Sequence, residues 1–146
     1  MISTEQSNNT LEGITFSADN KKLAEVLAFI KKDMARYHLS EKSQFNMVTA
    51  AEEIFSNIAM YAYSSNKKAI VTINTNLKDN VYAISFKDNG KKYNPLENND
   101  PDITADIKDK NIGGLGIFLV KKLTDIQTYV YKNNQNILTI GIYTNN

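Results

Sequence analysis

Two pairs of β-rich runs, each joined by a break too short for anything but a turn, restrict this chain more than any other feature. Ala69 to Leu77 and Val81 to Asp88 are separated by Lys78-Asp79-Asn80, and Ile126 to Lys132 and Ile137 to Tyr143 by Asn133-Asn134-Gln135. Strands joined this closely run antiparallel, because a parallel crossover needs a dozen residues or more. A lone hairpin is marginal in water, so each must add to a larger sheet with one face covered. The segments between them carry the helical period that supplies the cover. Leu23, Val26, Leu27, Ile30 and Met34 recur at helical spacing over Lys21 to Tyr37, with Asp19 placed to cap it. Ser40 caps a longer helix running to about Tyr63, in which Met47, Val48, Ala51, Ile54, Phe55, Ile58, Ala59 and Ala62 form one broad apolar stripe. A third helix is expected from about Leu115 to Thr124, and a further strand over Thr10 to Ala18.

The order is strand, helix, helix, hairpin, long loop, helix, hairpin. It predicts an α+β protein, a two-layer sandwich whose mixed, mostly antiparallel sheet is covered on one face by three helices. Residues 1–9 read as a loose tail and 10–146 as a single domain. A chain of 146 residues suits one core.

Composition removes several classes of function. A formal net charge of +1 without a basic cluster gives no footprint for nucleic acid. With no cysteine and one histidine, His38, neither thiol chemistry nor a soft zinc site is expected, and His38 reads as a helix-end residue. The polar start MISTEQSNNT lacks the apolar core of a signal peptide, and no apolar run approaches the ~20 residues of a membrane span. A cytoplasmic protein with no membrane contact is the expectation.

Three clusters carry possible chemistry. Glu53 and Asn57, four apart on the long helix, share a face at the edge of the apolar stripe. They read either as a solvated polar flank or as a carboxylate base beside an amide oxygen for a hard cation such as Mg²⁺. Asp88-Asn89-Gly90 has the form of a hairpin turn, yet the polar Lys91-Lys92-Tyr93-Asn94-Pro95 that follows makes a poor strand. Asp88 shares strand parity with Tyr82, Ile84 and Phe86, which suggests a buried acceptor able to receive a hydrogen bond from an exocyclic amine such as that of adenine. Gly113, Gly114 and Gly116 lead into Ile117-Phe118-Leu119-Val120, where a helix start with close backbone access would favour phosphate. Neither the Walker A spacing nor the dinucleotide fingerprint is present.

Taken in order, "AAEEIFSN", "DNGKKYNPLE", "DPDIT" and "GGLGIFLVKKLTD" resemble the ATP-binding superfamily of gyrase, histidine kinases and MutL, the Bergerat fold. Within it they are most like the stand-alone anti-sigma factor serine/threonine kinases, over about residues 10 to 143. The resemblance implies ATP and Mg²⁺ as cofactors, Asn57 on the Mg²⁺ and Glu53 as general base. It implies Asp88 on the adenine amine, with Gly90 allowing close approach. Gly113, Gly114, Leu115, Gly116 and Ile117 would form the phosphate-facing helix start, Asn94 to Asn111 the lid, and Thr139 would help the adenine site. It implies a homodimer that phosphorylates a small anti-anti-sigma (STAS-type) protein and sequesters a sigma factor. Two departures stand out. Lys91-Lys92-Tyr93 replaces an Ile-Pro-Phe-like segment, and the sole arginine is Arg36, so a lid cation would be Lys108 or Lys110.

The alternative is a nucleotide-dependent protein-binding module of the same fold without kinase activity. A histidine kinase is expected to need a helical phosphoacceptor domain, and gyrase-like or MutL-like motors a second domain, for which 146 residues leave no room.

Overall fold

The computed structural model describes residues 13–63, 68–97 and 112–144. The expected tail, most of the expected lid, Lys108 and Lys110 lie outside them. The chain begins with β1 (Ile14–Ser17), a 3₁₀ turn (Asn20–Lys22), α1 (Leu23–Arg36) and α2 (Glu41–Ile58), which passes directly into a π-helical turn (Ala59–Tyr63). Then come the hairpin β2 (Ile70–Lys78) and β3 (Val81–Asp88), a 3₁₀ turn (Pro95–Glu97), α3 (Ile112–Leu123), and the hairpin β4 (Ile126–Lys132) and β5 (Gln135–Tyr143).

The five strands form one sheet in the order β1-β2-β3-β5-β4. Every pairing is antiparallel, so the mixed character expected from the sequence does not occur among the described strands. Both hairpin turns are tighter than the sequence suggested. Each consists of two residues with positive φ, Asp79-Asn80 and Asn133-Asn134, whose local twist matches that of paired strands. The second turn moves the start of β5 back to Gln135, with consequences for the site.

Alternation decides which face is covered. Val71, Ile73 and Thr75 of β2, Tyr82, Ile84 and Phe86 of β3, and Leu138, Ile140 and Ile142 of β5 are buried against the helices. Val26, Ile30 and Met34 of α1 and Met47, Ala50, Ala51, Ile54 and Phe55 of α2 meet them in one cluster. Each fully buried Ile or Phe there stabilises the fold by roughly 1.5–3 kcal/mol. On the uncovered face small polar side chains pair across strands, Thr15 with Thr72 and Ser85 with Thr139.

The helix ends follow the sequence signals. Asp19 accepts from the Lys21 N–H and so caps the 3₁₀ turn that leads into α1 rather than α1 itself, whereas Ser40 caps α2 by accepting from the Ser43 N–H at 3.1 Å. At the end of α1, His38 takes the left-handed conformation (φ 60°), and the N–H groups of His38 and Leu39 return to the carbonyls of Ala35 and Met34. His38 is thus the helix-end residue that the sequence indicates. No helix among the described residues is long and apolar enough to cross a membrane.

Candidate functional site

The polar end of β3 and the C-terminal end of α2 face one another across a cavity of about 510 Å³. Asn57, Asp88, Asn136 and Lys91 bring polarity to its wall, and Ile54, Ile117 and Leu138 supply the apolar remainder. A concave, mostly apolar site with a few convergent polar groups has the usual make-up of a small-ligand pocket. Tyr61, from the π-helical turn that follows Asn57, and Tyr93 stand together at this wall, their ring centroids 5.9 Å apart. Lys92 also lines the cavity and sets its ammonium 5.4 Å from the centre of the Tyr131 ring.

Asp88 is the last inward-facing residue of β3 and is only 7% exposed. In register it lies between Val71 of β2 and Asn136 of β5. Its Oδ1 accepts from the Gly90 N–H at 2.8 Å and from the Asn136 amide at 3.1 Å. Among the described residues no donor reaches Oδ2, which leaves that oxygen as the acceptor offered to the cavity. Burial pushes the carboxyl above the ordinary range, against the opposing pull of the Gly90 and Asn136 hydrogen bonds. Gly90 closes the tight Asp88-Asn89-Gly90 corner, and the Asn89 side chain ties the corner back to the Ile70 N–H. The hairpin that Asn-Gly suggests does not form here, because β3 ends at Asp88.

Glu53 lies one helical turn before Asn57 and is not part of the cavity wall. Its carboxylate rests on Gly116 of α3: a Cβ at Gly116 would sit 2.6 Å from Glu53 Oε1. A side chain here would push aside that carboxylate, the far end of a flexible side chain, so glycine leaves Glu53 where it is. The third cluster is built differently from the expectation. α3 starts at Ile112, not Leu115, so the glycine run is inside its first turns. By the i to i−4 pattern, the N–H groups left without helical acceptors belong to the very start, around Ile112, Gly113 and Gly114. Those of Gly116 and Ile117 fall inside the ladder, and these two residues contribute packing against Glu53 and cavity wall respectively.

Thr139 does not reach the cavity. Its parity on β5 points it to the uncovered face, where it pairs with Ser85 at 2.9 Å. Its neighbours Leu138 and Asn136 hold the inward positions. Sequence reasoning missed Asn136, Tyr129 and Tyr61. Counting back by twos from Ile142, Ile140 and Leu138 would have found Asn136 and excluded Thr139.

As for a metal, no group of three His, Asp or Glu side chains that could cage an ion occurs among the described residues. A lone amide oxygen at Asn57 suits Mg²⁺, which keeps several waters and is otherwise held by substrate phosphates.

Comparison with known proteins agrees with this fold. A family model described as "Histidine kinase-like ATPase domain" matches residues 16–142. The chain is similar to the serine/threonine-protein kinase BtrW of Bordetella bronchiseptica, 22% identical over 116 residues, covering 80% of this chain and 82% of that protein. Its fold is similar to the RsbU and RsbW domains of Rv1364c from Mycobacterium tuberculosis, with a TM-score of 0.61 at 13% identity, over 89% of this chain and 32% of that one. It is also similar to the histidine kinase domain of the blue-light-activated histidine kinase EL346 of Erythrobacter litoralis, with a TM-score of 0.52 at 15% identity, over 70% and 45% of the two chains. Our chain therefore spans less than half the length of either solved chain.

Proposed function

This chain belongs to the family of histidine kinase-like ATPase domains, and on that premise we propose that it is an ATP- and Mg²⁺-dependent protein serine/threonine kinase acting as an anti-sigma regulatory factor. Membership implies an ATP site. The observation that carries the reading is the shared cavity, with Asn57 on one wall and the half-satisfied Asp88 on the other. Asp88 Oδ2 accepts the exocyclic amine of adenine, and the Gly90 corner lets the base come close to the backbone. Asn57 Oδ1 would hold Mg²⁺, which would supply neutralisation of the phosphate charge. The open N–H groups at the start of α3 face the phosphates. Glu53 takes the proton of a partner's seryl hydroxyl while the γ-phosphoryl group passes to that oxygen and ADP departs. Such transfer is mostly positioning and charge neutralisation, which these groups supply.

The acceptor in this reading is a small anti-anti-sigma protein of the STAS type. Its phosphorylation leaves a homodimer of this chain, in the cytoplasm, free to hold a sigma factor. The similarity to a serine/threonine kinase supports the acceptor class. A second reading, a nucleotide-dependent protein-binding module without transfer, is favoured by one observation: Glu53 rests on Gly116 and does not line the cavity.

Calorimetry with ATP, with and without Mg²⁺, followed by γ-labelled phosphate transfer to a STAS-type protein, separates the two. Glu53→Ala is expected to lower transfer by about 10²–10⁴-fold with ATP binding retained. Mg²⁺-dependent binding without any transfer supports the module. No binding at millimolar ATP removes both.

A further inference from the structure

Asn136 has no part in the chemistry above, yet it is the most heavily bonded side chain in the cavity wall. It is 6% exposed and sits directly opposite Asp88 across the β3–β5 ladder, with Tyr131 opposite it on the other side. Its Nδ2 donates to Asp88 Oδ1 at 3.1 Å and to the Lys91 carbonyl at 3.0 Å, with the Gly90 carbonyl at 3.3 Å as a shared contact. Its Oδ1 accepts from the Tyr93 N–H at 2.9 Å and the Tyr129 hydroxyl at 2.5 Å. The orientation of the amide follows from these partners. A backbone N–H can only donate and two backbone carbonyls can only accept, so a flipped amide would oppose like with like.

We infer that Asn136 is a specificity-determining positioning residue: it holds Asp88 by Oδ1, presents Oδ2 to the purine as a fixed acceptor, and ties the loop from Gly90 to Tyr93 beside the base. The inference deepens the adenine reading of Asp88 and rests on it. Two features of the amide support it. Its two hydrogens and its oxygen are fully occupied by protein partners, so it has nothing left with which to bind a ligand directly. Those partners are the acid that reads the base, three points of the loop that borders it (Gly90, Lys91 and Tyr93), and the Tyr129 hydroxyl. A fixed carboxylate oxygen meets the amino group of adenine as acceptor to donor, and O6 of guanine as acceptor to acceptor. Sites built on such a pairing reject the mismatched ligand strongly, because a buried polar group is left unpaired.

Without the Asn136 donor, Asp88 keeps only the Gly90 N–H. The side chain is then free to rotate. It also protonates more readily, since burial already raises its pKa and the Asn136 bond opposes the rise. A protonated carboxyl can donate to O6, so both changes admit guanine. Tyr129, whose hydroxyl donates to Asn136 Oδ1, adds no charge beside Asp88, because burial raises its pKa and keeps it neutral. Among the described residues, Lys91 and Lys92 are the cations on the cavity wall.

The test compares Asn136→Val with Asn136→Thr in the full chain. The two are nearly the same shape, and only threonine has a hydroxyl that can donate to Asp88. Affinities for ATP, GTP and purine riboside triphosphate, which lacks the amine, are measured by calorimetry. The unaltered protein is expected to prefer ATP over either competitor by about 100-fold, and Asn136→Val to lose at least about tenfold of that ratio. Asn136→Thr is expected to recover most of it. A Val variant that weakens all three nucleotides equally, or a Thr variant no better than Val, overturns the inference and leaves the adenine reading intact. An unaltered protein that does not distinguish the three nucleotides overturns both. If the Val variant does not fold, Asn136→Ala against Asn136→Ser reads the same difference, with the same outcomes.

Discussion

Strand β3 carries an inward-facing oxygen at each end. At its first turn, the Tyr82 hydroxyl is wholly buried and donates to Asp33 Oδ2 at 2.7 Å. Asp33 is held in turn by Arg36 at 3.2 Å, and the Arg36 guanidinium lies 4.8 Å from the centre of the Tyr37 ring. Burial, and then the Asp33 hydrogen bond, push the Tyr82 pKa far above its usual range, so this hydroxyl stays protonated. At the far end Asp88 has one oxygen bonded to protein and the other turned to a cavity. The same row of alternate residues therefore ends once in a sealed network and once in an open valence. A polar group whose needs the protein meets in full adds to stability. One whose needs are met by half is destabilising until a ligand arrives, which is how a binding site differs from a core.

Four substitutions bear on this contrast. The largest effect is expected at the open end. In Asp88→Asn, the Gly90 N–H and the Asn136 amide hold the new carbonyl oxygen in the place of Oδ1, so an NH₂ group now faces the cavity. The ATP to GTP affinity ratio should fall by about 100-fold or more, with GTP gaining. An unchanged ratio would mean that Asp88 does not read the base. The same variant has a pH signature. A carboxyl whose pKa rises on folding contributes stability below its unfolded value and loses it as pH climbs through the folded value. Asparagine has no such loss, so the variant's urea midpoint should gain on that of the unaltered protein between pH 4 and pH 7.

Gly116→Ala comes next. The added methyl must move the Glu53 carboxylate, the end of a flexible side chain, so the fold should keep its stability or gain up to about 1 kcal/mol of helix propensity. Phosphate transfer should fall by about tenfold. A destabilised protein with normal transfer would contradict the placement of Glu53. At the sealed end, Tyr82→Phe leaves Asp33 with Arg36 alone and should cost about 1 kcal/mol in chemical unfolding, with nucleotide affinity unchanged. A change in ATP binding there would break the distinction between the two ends. Smallest is Thr139→Ala on the uncovered face, expected to stay within about 0.5 kcal/mol and to leave ATP binding untouched.

The covered sheet, the three helices and the inward position of Asp88 were legible in the sequence because alternation and the 3.6-residue period both depend on burial alone. What was not legible depended on the conformation of single residues. Reading Asn133-Asn134-Gln135 as the turn hid Asn136, whereas two left-handed residues suffice and Gln135 already pairs with Lys132. Glycine's reputation as a helix breaker placed the start of α3 at Leu115, but close approach to Glu53 favours glycine within the helix. The π-helical turn after Asn57 left no mark, since Ala59 continues the apolar stripe of α2.

The left-handed positions have a wider consequence. Among the described residues the five with positive φ are His38, Asp79, Asn80, Asn133 and Asn134, and no described glycine has positive φ. Side-chain-bearing residues tolerate that geometry less well than glycine. The sequence therefore sits below the stability its own backbone permits, with the shortfall lodged in exposed turns whose residues do not line the cavity. Such turns can be improved without touching the chemistry, so a lineage of this chain could take on destabilising changes around Asp88, explore new ligands there, and recover its footing elsewhere.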